Sequence, residues 1–160
     1  MSKHRCLHRM TRSSCNGRLN SGYYDKKITE RGEKVKKIIA TDRAPEAIGP
    51  YSQAVQTGNF LFISGQIPLD PATMQIVGST AAEQAEQVFK NMKAILDEAG
   101  LGFEHVVKTT VLLKDIGDFS AVNEVYARQF SGEYPARAAY QVGNLPKNAF
   151  VEIEAIAVKP

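Results

Sequence analysis

Apolar positions along the chain follow two periods, and the switches between them mark out the elements. Short apolar runs with alternating character predict strands at Lys37-Ile38-Ile39-Ala40, Ser52 to Gln56 and Phe60 to Ser64. Thr57-Gly58-Asn59 lies between the last two as a hairpin turn. Residues 66–79, punctuated by Pro68, Asp70-Pro71 and Gly78, read as loop. The period then changes. Ala85, Val88, Phe89, Met92, Ile95, Leu96 and Ala99 recur at helical spacing and form one stripe of an amphipathic helix. Thr80 and Glu83 open that helix as a capping box, and Gly100 closes it at the C-cap. His105 to Lys114 is a strand rich in β-branched residues. Asp118 caps a second helix running through Phe130, and Pro135 bars its continuation. Arg137 to Val142 and Ala149 to Val158 complete the set, joined by the loop 143–148.

The order is therefore β-β-β-α-β-α-β-β. Two helices with one-sided stripes need a sheet face to cover, which predicts an α+β two-layer sandwich. Its sheet is mixed and antiparallel-rich, with both helices on one face. The last strand says something about the other face. Val151, Ile153, Ala155 and Ala157 line one side, whereas Glu152, Glu154, Ile156 and Val158 line the opposite side. Apolar residues on both sides predict that the second face is buried too, most simply against other copies of the chain.

Charge divides the chain at the first strand. Residues 1–37 hold 11 Lys or Arg against 3 Asp or Glu, a net of +8, and residues 38–160 hold 9 against 14, a net of −5. The overall +3 of the 160 residues thus averages two unlike parts. The reading is a basic, disordered extension over 1–37 and one domain over 38–160. A net-acidic domain is a poor non-specific binder of phosphate backbones, so RNA is a disfavoured partner, although the extension could supply affinity. The extension also holds both cysteines, Cys6 and Cys15, and two of the three histidines, His4 and His8. It lacks the apolar stretch of a secretory signal. Four readings fit it: a disordered tail, an organellar transit peptide, a zinc-binding patch, or an upstream start placed before a true one near Val35. The composition favours the first and the last. The domain itself has no Cys and one His, His105, which excludes a Cys nucleophile, a disulfide framework and a His- or Cys-rich metal site. No apolar run approaches a membrane span, and a cytoplasmic location is expected, or an organellar one if the extension is a transit peptide.

Four places carry residues that packing alone would not choose. Asn123 lies beside the stripe Phe119, Val122, Tyr126, Phe130, where an amide needs a hydrogen-bond partner; tying down nearby backbone would explain it. Arg137 opens a strand among small neighbours, Pro135-Ala136-Arg137-Ala138-Ala139. It offers a planar fork for a carboxylate, or a salt bridge to one of the domain's acids. Glu152 sits in a strand otherwise made of Val, Ile and Ala. It is a general-base candidate if half-buried, and a solvated strand position otherwise. Gly65, in Ser64-Gly65-Gln66, either lets backbone N–H groups approach a ligand or simply turns the chain. With His105 alone, a triad built on Ser64 has no base.

Together these segments resemble one family. Ala47-Ile48-Gly49-Pro50-Tyr51-Ser52-Gln53-Ala54, Ile63-Ser64-Gly65-Gln66-Ile67-Pro68, Val107-Lys108-Thr109-Thr110-Val111, Val122-Asn123-Glu124-Val125-Tyr126, Pro135-Ala136-Arg137 and Leu145-Pro146-Lys147, followed by Val151-Glu152-Ile153-Glu154-Ala155, come in the order of the reactive intermediate deaminase family, also called Rid, YjgF or L-PSP endoribonuclease-like. The resemblance covers essentially all of residues 38–160. It implies a chorismate mutase-like fold and a homotrimer with sites between subunits. It also implies hydrolysis of 2-aminoacrylate- and 2-aminocrotonate-type enamines and imines to 2-oxo acids and ammonia, with no metal and no cofactor. By the same resemblance, Arg137 binds the substrate carboxylate, Gly65 offers it a backbone N–H, and Glu152 activates water. Tyr51 and Ser64 line the pocket and Asn123 supports it. Some relatives carry the alternative implication of an endoribonuclease or translation inhibitor acting on RNA. Many members have Ser-Cys after the arginine where this chain has Ala138-Ala139, so a thiol is absent there and substrate preference is the property in question.

Overall fold

A computed structural model describes residues 35–160 except Ser131. The extension readings fall on residues outside this range, apart from Val35 to Lys37. Eight regular elements follow in the expected order: β1 (Lys37–Ile39), β2 (Ala54–Thr57), β3 (Phe60–Gln66), α1 (Ala81–Glu98), β4 (Val106–Leu113), α2 (Phe119–Ala127), β5 (Ala136–Gln141) and β6 (Val151–Val158).

The strands form one six-stranded sheet in the order β1-β2-β3-β6-β4-β5. Only the β4–β5 pair is parallel. The last strand in sequence thus lies in the interior of the sheet, between β3 and β4. Its alternation sorts the two faces: Val151, Ile153, Ala155 and Ala157 are buried under the helices, and Glu152, Glu154, Ile156 and Val158 point the other way.

Helix α1 begins as the pattern predicts. The Thr80 side chain accepts from the Glu83 N–H and Glu83 reaches back to the Thr80 N–H. Its C-terminus differs by one residue: Ala99 is the C-cap, and Gly100 follows at φ +72°, where the Leu101 N–H can reach the Leu96 carbonyl. A left-handed residue just past the cap is where glycine costs least. Its stripe packs Phe89 edge-on against Phe103, Tyr126 and Phe130, with ring centroids 5.7–6.4 Å apart. Two buried polar residues on α1, Gln84 and Asn91, escape the apolar pattern. Asn91 donates to the Ile67 and Leu69 carbonyls, and Gln84 bridges the Gly78 carbonyl and the Phe150 N–H. They fasten the loop 67–78 and the start of β6 to the helix.

The second helix is shorter than expected. It ends at Ala127 rather than Phe130, and Asp118 makes no side-chain cap. Asp118 has helical backbone angles, φ −78° and ψ −7°, because a 3-10 turn over Ile116–Asp118 feeds directly into α2. The capping carboxylate is that of Asp115, which accepts from the Gly117 N–H at the start of this turn. Capping needs an extended residue, and the chain supplies one three positions earlier than the pattern implies.

The helices leave one sheet face open. Ile38, Phe60 and Phe62 stand on it, 44–49 % exposed. Register aligns Ile38, Val55, Phe62 and Ile156 across four strands as one apolar row. Between that row and Lys108 lies a groove of about 300 Å³, lined also by Ser64, Thr110 and Glu154.

One buried amide holds the segment between β1 and β2. Gln53, 5 % exposed, accepts from the Thr41 N–H and donates to the carbonyls of Thr41, Ala44 and Pro45. Replacing it with leucine keeps the bulk and orphans those backbone groups. Gln53→Leu is expected to lose at least about 2 kcal/mol of stability, read as a lower denaturant midpoint at unchanged slope.

Candidate active site

The residues singled out from sequence gather in two groups, on opposite faces of the sheet.

The first group surrounds Glu152 on the open face. Register places Glu152 beside Leu112 of β4, which in turn pairs with the exposed Tyr140 of β5. Strand β3 carries an irregularity: Ile63 pairs with Ala155 but Gln66 pairs with Ile153, so Ser64 and Gly65 together oppose one residue of β6. The bulge brings Gly65 against the Glu152 side chain. A Cβ at Gly65 would collide with the carboxylate oxygen and lie 2.9 Å from its carbon. Glycine is thus needed for the room it leaves. Ser64 is committed elsewhere, because its hydroxyl donates to the Ser52 carbonyl at 2.7 Å. Tyr51 shares a small cavity with Gly65, Ile48 and Gln53, and its hydroxyl accepts from the Ile48 N–H.

The pKa of the half-buried Glu152 carboxyl is raised from its ordinary value, mainly by loss of hydration and secondarily by Glu154 two residues along the same face. That is the direction a general base operating near neutrality requires.

The second group surrounds Arg137 at the helix-covered face. Arg137 pairs in register with Thr109, whose side chain is buried among the helix-facing residues. Its Nη1 donates to Asn123 Oδ1 at 2.7 Å. Its guanidinium lies over the rings of Tyr126 and Phe119, 4.5 Å and 5.3 Å from their centroids. Asn123 therefore orients a side chain, not the backbone. No salt bridge between Arg137 and an acid occurs among the described residues. Ala139 lies two residues along β5 from Arg137 on the same face and packs against the core.

Sequence reasoning missed Phe119, Thr109 and Tyr126. All three fit an apolar or β-branched pattern, and only the closeness of Asn123 to Phe119 and Tyr126 on the helix hinted otherwise. Among the described residues no three His, Cys, Asp or Glu side chains gather in a metal-binding group, and no helix is long and apolar enough to cross a membrane.

The fold and these two groups define a two-layer α+β domain that carries a guanidinium on one side of its sheet and a raised-pKa carboxyl on the other. The Endoribonuclease L-PSP family model matches residues 41–159, and the chain belongs to this family, the one named above as Rid or reactive intermediate deaminase. Protein DfrA of Myxococcus xanthus is 58 % identical over 125 residues, which span 77 % of this chain and 95 % of that protein. A human protein named 2-iminobutanoate/2-iminopropanoate deaminase is 54 % identical over 125 residues, 78 % of this chain and 91 % of its own. Among solved structures, RidA from an Antarctic Psychrobacter superposes with a TM-score of 0.74 at 51 % identity, covering 76 % of this chain and 98 % of that one. The Escherichia coli protein TdcF, crystallised with bound serine, gives 0.74 at 46 % identity, covering 78 % and 99 %.

Two expectations follow from the Glu152 surroundings. Gly65→Ala displaces the carboxyl towards solvent, so the Glu152 titration followed by NMR moves down towards the ordinary carboxylate range. The raised pKa also has a stability consequence. Its cost is absent below the ordinary carboxylate pKa and appears as pH rises through the raised value, because only the ionised form resists burial. Glu152→Gln is therefore expected to melt higher than the parent at pH 7–8, with the difference closing on acidification towards pH 4.

Proposed function

We propose that this protein hydrolyses 2-imino acids of the 2-iminobutanoate and 2-iminopropanoate kind, and their enamine tautomers, to 2-oxo acids and ammonia. The observation that carries this reading is the pairing of an arginine oriented by Asn123 and two rings with a raised-pKa carboxyl held against Gly65. It is supported by the mammalian relatives at 54–57 % identity that bear the deaminase name.

Arg137 takes the substrate carboxylate in its planar fork, which fixes the adjacent imine carbon. Glu152 accepts a proton from a water molecule as the water oxygen bonds to that carbon. The C=N bond becomes a C–N single bond, and the nitrogen takes up a proton. The carbinolamine then collapses: Glu152 returns its proton to the nitrogen, the C–N bond breaks with its electrons, ammonia leaves, and the C–O bond becomes the 2-oxo carbonyl as the hydroxyl proton passes to the freed Glu152 carboxylate and on to solvent. Tyr51, Ser64 and the Gly65 backbone form the wall on the Glu152 side.

Because Arg137 and Glu152 face opposite sides of one sheet, the site is completed by two copies of the chain, in a homotrimer with three such sites. The apolar row on the open face gives those copies a reason to associate. RNA cleavage is the weaker reading, since the domain from residue 38 onward is net −5.

Mixed assembly tests both halves. Arg137→Ala and Glu152→Gln homo-oligomers are each expected to lose at least about a hundredfold in 2-iminobutanoate hydrolysis. Refolding the two together restores activity, because every mixed trimer keeps one intact site, about a third of its total. Mixed trimers as inactive as the parents would rule out a shared site, and wild-type turnover by Arg137→Ala would rule out the assigned chemistry.

A further inference from the structure

Arg137 is an exposed side chain, yet it is gripped on several sides. A free arginine side chain samples many rotamers and loses that entropy when it binds a ligand. An arginine already fixed in its binding pose does not incur this cost at the moment of binding. The grip has three parts. Asn123 takes one N–H. Phe119 and Tyr126 present ring faces to the guanidinium, Tyr126 the closer at 4.5 Å. Tyr126 is itself held on several sides: it is 3 % exposed, it packs between Phe89 and Phe130 at 5.7 Å and 4.8 Å, and its hydroxyl shares a 2.8 Å hydrogen bond with Thr109. Thr109, fully buried, is the residue paired in register with Arg137 across β4 and β5. A closed loop results, from Arg137 through Tyr126 to Thr109 and back along the strand pair.

We infer that Tyr126, with Phe119, is a positioning residue for substrate carboxylate recognition: its buried ring fixes the plane of the Arg137 guanidinium, and Thr109 fixes the ring. The inference rests on the proposed deaminase site and extends it to a helix face that otherwise reads as core. The ring does the electrostatic work, through attraction between its negative face and the cation. The hydroxyl holds the ring in register. Asn123 alone would leave the guanidinium free to rotate about a single hydrogen bond.

The experiment compares one neutral and one charged probe, 2-oxobutanamide and 2-oxobutanoate, by calorimetric titration on the intact protein, together with KM and kcat for 2-iminobutanoate. Tyr126→Leu is expected to weaken 2-oxobutanoate binding about tenfold and Phe119→Leu about threefold, from the usual strength of cation–π contacts. Amide binding and kcat stay within about twofold. Tyr126→Phe keeps the ring and stays within about threefold of the parent. Val125→Ala, a buried neighbour on the same helix, lowers the melting temperature and leaves 2-oxobutanoate binding unchanged, which separates positioning from general loosening. Phe119 is only half-buried, so its variant reports even if Tyr126→Leu does not fold. If both ring variants bind 2-oxobutanoate as the parent does, while Arg137→Ala loses it, the positioning role is wrong and the proposed site stands. If they weaken the amide equally, the effect is structural and the inference fails. If Arg137→Ala binds 2-oxobutanoate normally, the proposed site falls and the inference with it.

Discussion

Alternation along a single interior strand governs this molecule. β6 is flanked by β3 and β4, so each of its side chains must point to the helix layer or to the open face. Val151, Ile153, Ala155 and Ala157 are at most 4 % exposed and seal the core. Slipping the strand by one residue would drive Glu152 and Glu154 into that core and the four apolar residues out of it, a change no turn geometry could compensate. The packing that holds the domain together thus also delivers Glu152 to the open face. The bulge in β3 serves the same end from the other side. It removes one position from the ladder and places a residue without a side chain where the carboxylate needs space.

Much of this is legible in the sequence because it is local. The Thr80–Glu83 capping box and the seven-residue stripe after it depend on neighbours within one helix, and α1 forms as they dictate. The element order and the layer arrangement follow from the same periodicities. Strand order is a different matter. Nothing within β6 itself says that it inserts between β3 and β4, or that β5 runs parallel to β4, since these depend on contacts made across the chain. The second helix illustrates a subtler failure. Asp115 and Asp118 are chemically equivalent capping residues, and only the backbone angles decide between them.

The candidate functional residues divide along the same line. Arg137 and Glu152 stand out because each is a charge in an apolar or small-residue setting. Their separation by the sheet does not stand out, because it depends on cross-strand register. Tyr126 is hidden for the opposite reason. An aromatic residue at helical spacing among Phe119, Val122 and Phe130 is what a core stripe contains, and it does pack in the core. One ring both fills the core and faces a cation, so the apolar period conceals the polar task. Asn123 is the visible trace of that proposed task, being the one side chain on this helix stripe that hydrophobic packing cannot explain.

A site split between two copies would tune its base by assembly. In the single chain Glu152 is only half-buried, and its pKa already rises because water is partly excluded and Glu154 lies near. On the proposed reading, docking of a second subunit acts on this carboxyl in two opposing ways. It strips away remaining water, which raises the pKa further, and it brings the guanidinium of Arg137 into the same cavity, which lowers it. Substrate then cancels the second effect. Once the carboxylate of the imino acid occupies Arg137, the cation is neutralised and the desolvation of Glu152 is left unopposed. In the proposed assembly the base would therefore be more basic with a substrate carboxylate on Arg137 than in the empty site. An imine is easily attacked by water, so the proposed reaction asks little more than this: a fixed cation to hold the substrate and a carboxyl whose proton affinity rises on occupancy. On the proposed reading, two charges kept on opposite faces of one sheet and joined between copies would meet that need.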